Sequence, residues 1–256
     1  MESKIFDCTL DEWINIRPAI IDLGKWNIQE GEVIELNYTL SESKKCLLTY
    51  IANQASDQFD IIIWFNMCRT LKVVDLKNPH KVLIYSSFNL QEFLIQAASL
   101  SSFLKDSKLR SLIIIDSYNT FLMHDSVLHL DKSNINEKHN KEALLEAALS
   151  RKLQQILIKL KQKYGSTIIL CRKEYFPKKI ANIVTATASF TFYAAMCEPE
   201  KGKLIDSRYF LLESCFDEIG NMLHALVKQE KSSVELILFR YPIEWIFQDD
   251  IKYEPL

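Results

Sequence analysis

The sequence predicts an α/β fold, a mainly parallel sheet flanked by helices with an antiparallel hairpin toward the C-terminal end. Three observations predict it. Apolar runs of strand length, FDIIIWF (59–65), KVLIYSS (81–87), LRSLIIIDS (109–117) and STIILCR (166–172), are continuous rather than alternating, the mark of strands buried on both faces. Segments with apolar residues at helical spacing lie between them. Strands joined by crossover helices pair in parallel, with helices on both faces.

Each element has its own reason. EVIELN (32–37) alternates as a strand, and an apolar helix continues through 46–54. After KVLIYSS, Asn89 can cap a helix with Glu92 three residues on, and Leu90, Phe93, Leu94, Ala97, Leu100 and Leu104 share its face. The polar stretch HDSVLHLDKSNINEKHN (124–140) predicts a long loop. Residues 141–164 follow as a helix, with Leu145, Leu149, Leu153, Ile156, Leu157, Leu160 and Tyr164 on one face and Gly165 where a C-cap belongs. SFTFYAAM (189–196) and RYFLLESCF (208–216) read as a hairpin joined by EPEKGKLID. A short helix around 217–229 and a strand VELILFRY (234–241) complete the pattern. One domain over 1–256 is the simplest organisation: an N-terminal segment 1–24, a core 25–216, and a helix and strand in 217–256.

Composition bounds the function. With 48% hydrophobic and 25% charged residues, the 256-residue chain is of ordinary globular type. A formal charge of −2 gives no global attraction to nucleic acid, so such binding needs a local patch. The six cysteines include no C-x-x-C pair, and the first residues, MESKIFDCTLDEW, carry charges throughout, so a reduced intracellular protein is expected. No apolar run approaches the roughly 18 residues that span a bilayer, so no membrane partner is expected. The five glycines, where roughly 7% of residues is usual, leave few places for backbone amides to wrap a phosphate.

GEVIELNYTLSESKKCLLTYIANQ (31–54) nevertheless has the layout of a phosphate loop: strand, polar turn, lysine, helix. Laid on G-x-x-x-x-G-K-[ST] without gaps, Lys44 takes the lysine position, Tyr38 and Ser43 take the two glycines, and Lys45 takes the magnesium-binding hydroxyl. The bland alternative is an ordinary strand–turn–helix that happens to contain a lysine. Downstream, Leu112–Ile115 and Asp116 form an apolar strand ending in aspartate, as in a Walker B element, with one strand–helix unit between.

At these residues the chain resembles the eukaryotic RecA-family recombinase paralogues. The resemblance runs over roughly 25–216, through GEVIELNYTLSESKKCLL, KVLIYSSFNLQEFLIQAASLSSFLKDSKLRSLIIIDSYNTFL, RKLQQILIKLKQKYG with STIILCR, and more weakly the terminal hairpin. The departures matter as much. The catalytic carboxylate expected after the second strand is missing from IIIWFNMCR (61–69), and the family's polar sensor falls on Cys171, Arg172 and Lys173. With loop glycines, magnesium hydroxyl, activating carboxylate and sensor all altered, ATP hydrolysis is not expected, because positioning and charge stabilisation supply nearly all catalysis of phosphoryl transfer. No cofactor is expected. The resemblance is to the Shu-type subset, which lacks a usable nucleotide site. It implies a nuclear, heteromeric, non-catalytic subunit that pairs with another paralogue, contacts the recombinase, binds single-stranded or forked DNA and stabilises recombinase filaments.

In RecA-type proteins two loops face DNA. The resemblance places the first at about 123–141, with Lys132, Lys138, His139 and Lys141, diluted by Asp125, Asp131 and Glu137. The second is CRKEYFPKKIANIV (171–184), with Arg172, Lys173, Lys178 and Lys179 around Tyr175 and Phe176. Bases stack on rings while cations neutralise phosphates; a solvated loop with its aromatics packed on the core is the alternative. Phe192–Ala195 fits the F-x-x-A docking pattern of recombinases but lies in an expected buried strand. The histidines show no metal spacing, and no Ser or Cys is legibly paired with a His. A second process fits the same fold, the Walker-less RecA-like ring of the Elongator complex, which acts in tRNA modification. A working NTPase with an unusual loop is the enzymatic alternative.

Overall fold

A computed structural model of the chain describes residues 19–24, 26–38, 41–69, 71–87, 89–105, 109–118, 151–173, 204–216, 222–229, 234–240 and 244–246. It begins with a small antiparallel pair, β1 (Ile20–Asp22) and β2 (Asn27–Gln29). The turn between them contains Gly24 at φ 85°, whose N–H donates to Asp22 Oδ1 at 2.8 Å. Next come β3 (Val33–Tyr38), α1 (Ser41–Ala55), β4 (Ile61–Phe65), β5 (Val82–Tyr85), α2 (Leu90–Phe103) and β6 (Ser111–Ile115). A helix, α3, occupies the described residues 151–164. The chain continues with β7 (Thr167–Lys173), β8 (Ser207–Phe216), β9 (Met222–Gln229), β10 (Val234–Arg240) and β11 (Glu244–Ile246).

Among the described residues nine strands form one sheet in the order β11-β10-β9-β8-β3-β7-β6-β4-β5. From β8 to β5 every pairing is parallel, and from β8 to β11 every pairing is antiparallel. The expected α/β class is therefore the observed one, and the parallel part fits a RecA-like core. β7 is inserted between β3, which leads to Lys44, and β6, which leads to Asp116.

The period-two geometry of the strands divides the core into two layers. On one face Ile34, Leu36, Ile62, Trp64, Leu112, Ile114 and Ile169 pack with α1 and with Ile21, Leu23, Trp26 and Ile28 of the small hairpin. On the other, Val33, Ile63, Phe65, Ile113, Ile115, Ile168 and Leu170 pack with Phe93, Ala97 and Leu100 of α2 and Leu153, Leu157 and Leu160 of α3. Strands covered on both faces read as near-continuous apolar runs, which is why β4, β6 and β7 are legible as such. β3 reads as an alternating strand yet is buried on both faces, so Glu35 and Asn37 are carried inside.

The helix signals hold where the described residues include them. Asn89 Oδ1 accepts the Glu92 N–H at 2.8 Å at the start of α2. Gly165, at φ 63°, ends α3 as a left-handed cap, its N–H donating to the Lys161 carbonyl at 3.0 Å.

Two expectations are corrected in the C-terminal part. Residues 222–229, within the segment 217–229 expected to be a short helix, form strand β9. Met, Leu, Ala, Lys and Gln favour helix locally, but β8 and β10 pair with both edges of this segment, and tertiary pairing overrides propensity. Leu226 lies opposite Leu211 on one side and Ile237 on the other, and His224 stacks on Phe239 at 5.3 Å. The second correction concerns the partner of 208–216. Over Tyr209–Leu211 its two edges are taken by β3 and β9, so the antiparallel partner is downstream. Residues 189–196 and the expected loop 124–140 lie outside the described residues.

Candidate functional site

The transition from β3 to α1 decides what the phosphate-loop segment can do. β3 continues through Tyr38 and α1 begins at Ser41, so only positions 39 and 40 stand between them. The strand has taken the first glycine position, and the helix includes Ser43 at the second. A loop that cradles phosphate offers a run of backbone amides between strand and helix, and here at most two residues separate the described strand from the described helix.

Lys44, the fourth residue of α1, has no accessible surface. Its Nζ donates to the Asp116 carbonyl at 2.6 Å and to the Tyr38 hydroxyl at 3.4 Å. It lies 4.5 Å from the centroid of the Tyr38 ring and 3.8 Å from Asp116 Oδ2. The tyrosine at the glycine position thus supplies what a phosphate would, a lone pair and a negative electrostatic face. The Tyr38 hydroxyl in turn donates to Ser117 Oγ at 2.9 Å and sits 3.9 Å from Cys68 Sγ.

Asp116 is equally enclosed. Its Oδ1 accepts the Cys68 N–H at 3.1 Å, and Oδ2 has no hydrogen-bond partner. Burial pushes its carboxyl above the ordinary range, opposed by the Lys44 ammonium and by the backbone N–H groups of Cys68 and Met67. Burial also pushes the Tyr38 phenol and the Cys171 thiol upward, so both stay neutral. The cluster is sealed by its own side chains.

The residues at the other positions expected from the phosphate-loop comparison make contacts within the fold. Lys45 Nζ is 3.3 Å from Asp75 Oδ2 and ties α1 to the 3₁₀ turn Val73–Asp75. Ser43 is buried. After β4, where a catalytic carboxylate is expected, the buried Asn66 accepts the Leu71 N–H on its side-chain oxygen at 3.3 Å and the Arg69 N–H on its carbonyl at 3.3 Å. Arg69 has φ 54°, and among the described residues no other non-glycine has positive φ. For an L-residue with a side chain that costs about 1–2 kcal/mol.

Of the expected DNA contacts, the structure places Arg172, exposed, and Lys173, half-buried, at the carboxyl end of β7. Tyr175, Lys178, Lys179, Lys132 and Lys138 lie outside the described residues, as do Phe192–Ala195, His139 and Lys141.

Two features escaped the reading of the sequence. On the sheet face opposite Lys44, the buried Glu35 accepts the Tyr118 hydroxyl at 2.9 Å and the Arg208 Nε, with Arg208 directly beside it in register. Burial and the neighbouring Glu35 carboxylate push the Tyr118 phenol upward. The signal was an acid inside an apolar strand, V-I-E-L. The second is a cavity of about 440 Å3 at the amino end of β3, lined by Glu30, Glu32, Lys161, Asp206, Tyr209 and Lys228 among others. It lies at the opposite end of β3 from Lys44. Its charges already hold the chain together: Lys161 bonds both Asp206 oxygens at 2.6 and 2.7 Å, Asp206 Oδ2 accepts the Val33 N–H at 2.7 Å, and Glu32 accepts the Ser207 hydroxyl.

Among the described residues no three His, Cys, Asp or Glu side chains converge as a metal site, and no helix is long and apolar enough to cross a membrane. No protein-family model and no curated protein matches the chain.

Proposed function

We propose that this chain is a non-catalytic, RecA-like subunit of a recombinase-paralogue complex of Shu type, acting in the nucleus. It pairs with another paralogue, binds single-stranded or forked DNA, and stabilises recombinase filaments in homologous recombination repair. The observation that supports this reading best is the burial of Lys44 against Tyr38 and Asp116. Strand order and the two Walker positions keep the RecA layout, while the lysine that would bind phosphate has become core. A subunit of this kind contributes surface rather than chemistry. The exposed Arg172 and half-buried Lys173 at the carboxyl end of β7, where open α/β sheets bind their ligands, supply a place for a polyanion.

The test is affinity purification of the tagged full chain from its own cells, with mass spectrometry of the proteins recovered. Other recombinase paralogues are the expected finding, and recovery of Elongator subunits overturns the recombination reading. Calorimetric titration of the purified chain with magnesium ATP is expected to give no heat of binding. Saturable binding that Lys44→Ala abolishes overturns the non-catalytic assignment.

A further inference from the structure

The strained residue after β4 adds to the charged end of the sheet. Cys68 turns inward: its N–H binds Asp116 Oδ1 at 3.1 Å, and its Sγ lies 3.8 Å from the Asp116 carbonyl and 3.9 Å from the Tyr38 hydroxyl. The loop after β4 therefore folds over the carboxyl ends of β6 and β3. The next residue, Arg69, is exposed.

β7 ends in the same way. Cys171 is buried in the layer that contains Tyr38, its carbonyl accepts the Tyr118 N–H at 3.0 Å just past Asp116, and the next residue, Arg172, is exposed. Arg69 thus follows a cysteine bonded to Asp116, Arg172 follows a buried cysteine of the Tyr38 layer, and both arginines stand at the carboxyl end of the sheet. Glycine would adopt the Arg69 backbone without strain. An arginine held there against that strain points to the side chain rather than the turn.

We propose that Arg69 is a contact for the phosphodiester backbone of single-stranded nucleic acid, acting together with Arg172, which lies on a strand two positions from β4 at the same carboxyl end of the sheet. The inference rests on the DNA-binding function proposed above. Guanidinium forks suit phosphate oxygens, and two of them at the carboxyl end of a sheet offer successive contacts to a chain of phosphates. Base identity is not read by such contacts.

The experiment measures binding of a fluorescent oligothymidylate to the full chain across a salt series, for wild type, Arg69→Gly and Arg69→Lys. Arg69→Gly relieves the left-handed strain, so its thermal midpoint is expected to equal or exceed that of wild type. Its affinity at low salt is expected to fall by about three- to tenfold, and the slope of log K against log salt to become shallower by about 0.7. Arg69→Lys is expected to keep the slope. Wild-type binding with an unchanged affinity and slope in Arg69→Gly overturns the role of Arg69 and leaves the DNA function standing. Absence of oligothymidylate binding by wild type overturns both. Equal displacement by polyglutamate of matched charge also overturns the proposal, and reassigns this end of the sheet to an acidic protein partner.

Discussion

Lys44 and Asp116, the two residues that in a nucleotide site would face phosphate and magnesium, face each other, with the lysine Nζ 2.6 Å from the aspartate carbonyl and 3.8 Å from its carboxylate. Neither has accessible surface. A pair so enclosed is held less by mutual attraction than by the cost of leaving either partner alone.

Substitution of one partner is therefore expected to be severe. Lys44→Met should destabilise the chain by about 3–5 kcal/mol, since it strands the Asp116 carboxylate in the core. The double variant Lys44→Met with Asp116→Asn should lose less than the sum of the two singles, a coupling that a double-mutant cycle in urea measures. Tyr38→Phe, which keeps the ring over Lys44 but loses the hydroxyl bonds, should cost about 1 kcal/mol.

Stability should depend on pH through Asp116. Its folded carboxyl titrates above the ordinary value of 3.8, with burial as the main cause. Between those two values the folded state holds more protons than the unfolded state, so this group's contribution falls as pH rises through the window and is most favourable below it. The measurement is the urea midpoint of wild type against Asp116→Asn across pH 4–8. The stability of wild type relative to the variant is expected to decline as pH rises from the acid end; a difference independent of pH sinks the assignment.

Gly165→Ala isolates the cost of a left-handed cap. Nothing lies within 4 Å of the position a Cβ would take, so no clash adds to the strain at φ 63°. A loss of about 1–2 kcal/mol in thermal unfolding is expected, with Gly165→Asn milder because asparagine tolerates this conformation.

Much of the parallel half was legible because burial on both faces forces continuous apolar runs, as in Ile61–Phe65 and Ser111–Ile115. The cap at Asn89 and the stop at Gly165 were legible because each follows from local backbone geometry. β1 and β2 passed unnoticed, being three residues each. β9 was misread because its residues favour helix in isolation and its strand state comes from neighbours on both edges.

The sequence by itself determined the layered α/β architecture and the order in which the strand before Lys44 and the strand before Asp116 occur. Periodicity and residue chemistry are local properties, and they survive without knowledge of neighbours. Only the tertiary structure decided where Lys44 points, that Tyr38 fills the space before it, that Glu35 meets Arg208 and Tyr118, and that Arg69 is held left-handed beside the same cluster. Those relationships join residues far apart in the chain. Their energies depend on burial and on which groups remain to satisfy a charge once water is gone.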